Sequence, residues 1–562
     1  SGDYVVVGAF FEDQDASGGA TADNAGSAYI FGPAAAITWD GSSSTDWNTA
    51  ANWSNNLVPG ATDNVVIPNV TNDPVISGAF TINDVELQSA PLTVASGGAL
   101  TLNGILTNSG SVNIRSGGSF LQGASSSITG AGAFNIQRQG GANYNMWSSP
   151  ITAQSGVPGT SYQYNSAAST QDDSDDQPSD PGWSSFNGTM TPGRGYAGQG
   201  GGLATFIGTP NNGDVNYGLY HTGFDNTYTQ TSGGTPFNLV GNPYPSAVSA
   251  ASFLAANTDL AGTIYLWNDN GSINYNRSDY AMWNGTGALG TGGGPVPNGF
   301  IGTAQGFMVR ATTGGAVANF TNAMRVAGNN TQFHKASSED SRMWFSVEKD
   351  NMRDEVLIGM LLDATEDEDR MYDAVKLKGN SDLSFSTLSA NTEYAILAVP
   401  PTFEERTIQL NLELELSGTY RFIPNTMENM EGYHVYFVDV QTGLNVLLEE
   451  GTPVDVAIEA GEYTNRFYLN FMSASITGIN SNQSDELAVY SSLDMLHINN
   501  SGAADANAVL ELIDITGRTV LSEQINLVSG TNSSSMTGIS KGVYLVRIST
   551  QGNSVTTKIV KQ

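Results

Sequence analysis

The sequence predicts an all-β protein with several β modules in series, and three observations carry that expectation. Glycine occurs 65 times in 562 residues and only 13% of the chain is charged, a mixture poor in helix formers and rich in turn formers. Apolar residues recur in short alternating runs separated by Gly and Asn clusters, the period-2 signature of strands. The charge is also unevenly spread. Residues 1–335 carry 21 acidic and 7 basic side chains, residues 336–472 carry 26 and 9, and residues 473–562 carry 7 and 5. Such a chain is too long for one core and fits roughly three to five domains.

Composition also excludes several chemistries. There is no cysteine, so neither disulfides nor thiolate catalysis is available. No run of about 18 apolar residues could cross a membrane as a helix. A net charge of −33 repels nucleic acid, which is excluded as a partner, and attracts divalent cations.

Residues 1–36 read strand, loop, strand: YVVVGAFF, then EDQDASGGATADNAG, then SAYIFG. Gly8-Ala9 and Phe31-Gly32 make this segment resemble the C-terminal part of an FG-GAP repeat, the blade unit of integrin-like propellers. A lone blade cannot bury its own faces, so the resemblance implies further blades upstream and a larger polypeptide. Glu12, Asp13 and Asp15 are candidate ion ligands in its loop.

Residues 37–140 hold Trp39, Trp47 and Trp53 in a turn-rich frame. Ser96-Gly97-Gly98 then recurs as Ser116-Gly117-Gly118, 20 residues on. Apolar alternations flank each copy, and a period near 20 fits one coil of a parallel β-helix with glycines at its corners. Residues 141–335 are loop-heavy, with short strands, and Gly241-Asn242-Pro243-Tyr244-Pro245 is turn chemistry. Residues 336–472 show alternating strands at Met343–Val347, Val356–Leu362, Tyr394–Val399, Ile408–Leu416, Tyr433–Val438 and Arg466–Phe471, which predicts an acidic antiparallel β-sandwich.

Residues 473–562 carry the most specific pattern. The alternating run Val509–Ile515 meets a turn at Asp514-Ile-Thr-Gly517-Arg518, where glycine supplies φ > 0. Lys541-Gly542-Val543-Tyr544-Leu-Val and the ending Lys558-Ile-Val-Lys561 follow. In their order these motifs resemble the type A C-terminal sorting domain of the type IX secretion system. The Pro-Asn-Pro usual near the start of that domain is replaced by Asp485–Tyr490. The resemblance implies an Ig-like sandwich recognised by the outer-membrane translocon and its shuttle β-barrel. A sortase-like enzyme and surface lipopolysaccharide are further implied partners. Asp514, Gly517, Arg518, Gly542, Val543, Tyr544, Lys558 and Lys561 are the signal residues it points to.

Other candidate sites weigh less. Four histidines lie in different regions without metal-ligand spacing. Gly538-Ile-Ser540-Lys-Gly542 has the spacing of a nucleophile elbow but precedes a strand, where that elbow needs a helix. Two acidic clusters, Asp172, Asp173, Asp175 and Asp176, and Asp363, Glu366, Asp367 and Asp369, offer hard oxygens for Ca²⁺, the one candidate cofactor. Trp39, Trp47 and Trp53 are candidate glycan platforms if their rings face solvent, with Asp40, Asp46 and Asp63 beside them.

The expectation is a non-enzymatic secreted or cell-surface protein of a Gram-negative bacterium, adhesin-like, exported through the periplasm and outer membrane. The alternative is a secreted polysaccharide-binding or polysaccharide-degrading protein.

Overall fold

Parallel β-structure begins well before Ser96, where the first Ser-Gly-Gly stands. The computed structural model describes residues 5–9, 27–31 and 36–561, apart from 142, 158, 170, 173–180, 201, 224–228, 231–232, 270–278, 291–295, 331–339, 380–381, 402–404, 474–486, 493–494, 501–505, 515–516, 529, 541 and 551–553. Residues 64–140 wind as a three-sided parallel solenoid. Its first side stacks Asn64–Ile67, Asp84–Leu87, Ile105–Asn108 and Ser127–Thr129. The second stacks Val75–Ile76, Pro91–Val94, Ser111–Ile114 and Ala133–Gly140, and the third Ala79–Ile82, Ala99–Leu102 and Ser119–Gln122. On each side alternate residues point inward and stack on their counterparts in the next coil. Phe80, Leu100 and Phe120 lie in register 20 residues apart, and Ile76, Val94, Ile114 and Ile136 form a buried ladder.

The repeated glycine pairs have two different jobs. Gly97 and Gly117 sit at φ +80° and +90°, backbone that a side chain disfavours. Gly98 has no such φ, but a Cβ there would lie 2.3 Å from the Ile76 carbonyl of the preceding coil. The first glycine turns the corner, and the second lets the coils stack.

Both solenoid ends are closed by other parts of the chain. Ile37–Thr38 pairs parallel to Val65–Val66 and places the tryptophan-rich segment over the first coil. At the far end Gly202–Ile207 runs antiparallel to Ala133–Gly140. Trp147, Ile151, Tyr196 and Phe206 there join the same apolar core as the solenoid ladders.

Residues 141–330 form several small sheets around Phe237–Gly241, Ile264–Asn268 and Gly306–Arg310, with one α-helix among the described residues, Ala250–Ala256, N-capped by Ser249. The predicted turn at Gly241–Pro245 is a buried polar staple. The Asn242 amide donates to the carbonyls of Ser246, Ile301 and Gly302 at 2.8, 3.0 and 2.9 Å, and its oxygen accepts the Tyr244 N–H at 2.9 Å.

All six strands predicted for 336–472 are present, within an 11-stranded sheet. Two features depart from a plain antiparallel sandwich. Leu357–Met360 pairs parallel to Ile396–Val399, and the strands form one continuous sheet that curls on itself. Phe345, Phe385, Phe422, Phe437 and Phe467 meet inside the curl, Phe422 and Phe437 with ring centroids 4.6 Å apart. Burying five rings gives the sheet reason to fold over.

The described residues fall into two compact units, Ser1–Met430 with Val435–Phe471, and Met472–Gln562 with Glu431–His434. The change in surface charge near residue 336 is therefore no boundary in packing. Phe237, Leu239, Tyr265 and Met308 share one core with Trp344, Leu357 and Ile396. Within 1–36, Val5–Ala9 and Ser27–Phe31 form the expected antiparallel hairpin; the candidate ligands Glu12, Asp13 and Asp15 lie outside the described residues.

Candidate functional site

The glycan platform is corrected by burial. Trp39, Trp47 and Trp53 are 0%, 0% and 1% exposed. Their ring centroids lie 4.7 to 6.3 Å apart, and Trp47 also packs on Phe80 of the solenoid. Trp39 donates its indole N–H to the Asn72 carbonyl at 2.8 Å, and Trp53 donates to the Trp47 carbonyl at 3.0 Å. An open coil exposes apolar rungs, and three large rings cover them more fully than any smaller residue. The neighbouring carboxylates build turns: Asp40 accepts the Ser42 N–H, Asp46 the Asn48 N–H and Asp63 the Gly60 N–H.

The loop holding Asp363, Glu366, Asp367 and Asp369 does not gather its oxygens at one point. Glu366 makes a two-pronged pair with Arg406, both contacts at 2.7 Å, and that hydrogen bonding holds its carboxyl below the usual range. Asp369 turns back to the backbone N–H and hydroxyl of Thr365. Among the described residues no three His, Asp or Glu side chains converge as a metal ion requires. Asp172 lies in the short strand Gln171–Asp172, while Asp173, Asp175 and Asp176 lie outside the described residues.

What this loop does is join two parts of the first unit. Arg370 reaches the end of the helix Ala250–Ala256 and donates to the carbonyls of Leu254, Asn257 and Leu260 at 2.8, 2.7 and 2.6 Å. A cation is favoured there because the helix dipole concentrates negative charge at its C-terminal end. Glu368 pairs with Arg310. Thr263 and Tyr265 donate hydroxyls to the carbonyls of Asp373 and Val375, and Asn284 and Thr286 donate to the Tyr372 carbonyl. Asp373 accepts the N–H groups of Ala398 and Asp369, each at 2.7 Å. Burial pushes its pKa up to about 7, against the pull of those two N–H groups.

A second buried constellation lies where the curled sheet divides. Asp354 and Lys376 are both wholly buried and pair at 2.8 and 2.9 Å. Asp354 also accepts the Phe385 N–H at 2.7 Å and the Glu355 N–H at 2.8 Å. Its carboxylate thus supplies a backbone acceptor between strands that pair with each other only through a third, and the ammonium neutralises it. Neither this pair nor Arg370 was singled out from the sequence, because a charged residue in a strand reads as solvent-facing until its neighbours are known.

The second unit is a two-sheet sandwich. Thr519–Leu527, Ala506–Asp514, Gly542–Ser549 and Ser554–Lys561 form one sheet; Leu487–Ser492, Met495–Asn500 and Gly530–Ser535 form the other. Leu487–Ser492 is the strand beginning within the segment that replaces Pro-Asn-Pro. Leu496 and Ile498 pack on Leu510, Leu512, Val546 and Ile548 between the sheets.

The signal candidates fall into three groups here. Asp514, Gly517 and Arg518 form one turn: Gly517 has φ +86°, and Asp514 accepts the Arg518 N–H and Nε–H, each at 3.0 Å. Arg518 itself is largely exposed. Val543 faces out beside Leu545, whereas Tyr544 points inward and donates its hydroxyl to the Ser540 carbonyl at 2.7 Å. That bond ties Ser540 to the strand Gly542–Ser549, so the nucleophile-elbow spacing precedes a strand, as expected for a chance match. Gly542 pairs in register with Lys561 and Leu545 with Lys558. Lys561 is 5% exposed, so it is no surface charge.

Comparison with known proteins agrees with this division. Residues 38–471 match the model of a domain of unknown function, DUF8693, a span that starts at the tryptophan cap and ends with the last strand of the curled sheet. Residues 492–562 match the secretion system C-terminal sorting domain. No curated protein matches. Among solved structures, dimeric latent PorU from Porphyromonas gingivalis is similar at 13% identity and a TM-score of 0.13, covering 43% of this chain and 31% of PorU. The chain thus spans about a third of that protein. The C-terminal match makes the protein a cargo of the type IX secretion system, exported through the outer membrane to the cell surface or beyond. The family match does not extend to residues 1–37, and the FG-GAP resemblance stands on the sequence alone. A C-terminal sorting domain thus follows a unit that matches its family model over most of the chain, and the protein belongs to the DUF8693 family.

Proposed function

We propose that this is a non-enzymatic, adhesin-like surface protein whose C-terminal sandwich is its export signal, read by the outer-membrane translocon and its shuttle β-barrel. A sortase-like enzyme would then remove that sandwich and attach the cargo to surface lipopolysaccharide. The observation that carries the signal half is the sorting-domain match at 492–562 on a separately packed unit. The adhesin half rests on how the first unit uses its polar and aromatic groups. Its tryptophans close the solenoid, and its described loop carboxylates build turns or join modules. A β scaffold whose polar and aromatic groups hold it together suits display at a surface. Burial of Trp39, Trp47 and Trp53 weighs against these three rings as a glycan platform.

The test has two arms. Deleting residues 492–562 from the full chain should leave the protein in the periplasm, and undiminished export would sink the signal reading. Cells lacking the protein should attach less to surfaces or to one another and recover with the intact gene. Unchanged attachment, together with hydrolysis of a polysaccharide by the purified chain, would replace the adhesin with an enzyme.

A further inference from the structure

The ending Lys558-Ile-Val-Lys561 reads as a basic tag, and a tag is most easily pictured as exposed charge. The structure turns the last of these residues inward. Lys561 is 5% exposed, and its ammonium donates to the carbonyl of Met536 and, at 2.8 Å, to that of Ile539. Both carbonyls belong to the turn that joins Gly530–Ser535, in one sheet of the sandwich, to Gly542–Ser549, in the other. The Tyr544 hydroxyl reaches the Ser540 carbonyl of the same turn. This crossover is therefore held from two sides, by the tyrosine of the Gly-Val-Tyr motif and by the lysine of the terminal motif. A buried ammonium is costly unless its protons are bonded, so Lys561 stays inside only while turn and terminal strand are both in place. The strand itself is paired along its length, Gly542 with Lys561 through Ser549 with Ser554.

We infer that Lys561 acts in export as an internal latch, closing the terminal strand onto the crossover turn, so that the machinery reads a closed sandwich and not a terminal positive charge. The inference rests on the export reading above and assigns one residue its part in it. Lys561 is a positioning residue, and the sequence motif pairs Tyr544 with Lys561 because both hold one turn.

The experiment uses the full chain in a bacterium with this secretion route. It compares Lys561→Met, which keeps length but cannot donate, with Lys561→Arg, which keeps the charge but must fit a wider planar group between the same carbonyls. Arg547→Gln serves as a control, removing a half-exposed positive charge from the same sheet. Export is measured beside amide hydrogen exchange of residues 542–549 and 554–561 in the purified chain. The latch predicts that both Lys561 variants lose slow exchange in these strands and lose export in the same order, while Arg547→Gln keeps both. Normal export of Lys561→Arg despite lost protection would overturn the latch in favour of charge recognition. So would failed export of a Lys561→Met protein with native protection. Either result leaves the export reading standing, since that depends on deletion of residues 492–562.

Discussion

At the scale of single residues, the polar groups that matter most are those the fold removes from water. Asp354 and Lys376 share a site closed to solvent, and removing one partner strands the other's charge. Asp354→Ala should therefore destabilise the first unit by about 3–5 kcal/mol, read as a lower urea midpoint with an unchanged slope. Asp373 carries a pH dependence of definite sign. Its pKa of about 7 in the fold lies above the ~3.9 of an unfolded aspartate, so the folded state binds the extra proton. Its contribution is fully present below about pH 4 and is lost as pH rises through 7. Asp373→Asn cannot ionise and keeps an acceptor, so it should narrow the gap between urea midpoints measured at about pH 5 and pH 8. An unchanged gap would show that other groups set the dependence. Trp47→Ala should cost about 3–5 kcal/mol and leave binding to soluble glycans unaltered, since the ring is buried.

At the scale of elements, the solenoid shows how a short repeat encodes a coil. Gly97 and Gly98 are neighbours with separate constraints. Alanine at Gly97 meets nothing within 4 Å and suffers only its positive φ, a cost of about 1–2 kcal/mol. Alanine at Gly98 would push against the Ile76 carbonyl of the coil below, and the coils would have to separate. Gly98→Ala should accordingly lower the thermal midpoint more than Gly97→Ala, a ranking that one pair of melting curves decides. The acidic loop teaches a related lesson. Its charge density invites a cation, yet Glu366 and Glu368 face arginines and Arg370 caps a helix.

At the scale of the molecule, three surface chemistries become two packed units. Solenoid, loop-rich region and curled sheet are joined by shared cores and by the Arg370 loop, and one family model spans all three. Residues 38–471 should thus unfold in one cooperative transition, with the sorting sandwich melting separately. Arg370→Ala should shift the first transition and leave the second in place in a calorimetric scan. Two separable transitions within 38–471 would mean that the shared cores are too weak to couple these regions.

The sequence by itself determined the β class, the solenoid period, the strands of the acidic region and the route of export. Each is written in local patterns: alternation of period two, a glycine pair every 20 residues, and a turn and strand motif in fixed order. Only the tertiary structure decided that Trp39, Trp47 and Trp53 close a core, that the Asp363–Asp369 loop fastens two regions, and that Lys561 points inward. These outcomes depend on which carbonyl, ring or charge lies opposite a side chain, and its partners come from far along the chain. A tryptophan beside aspartates or a lysine at a terminus has the same local signature whether water or protein faces it. Burial is a property of the assembled fold, and here it separated a surface signal from the latch that keeps the signal folded.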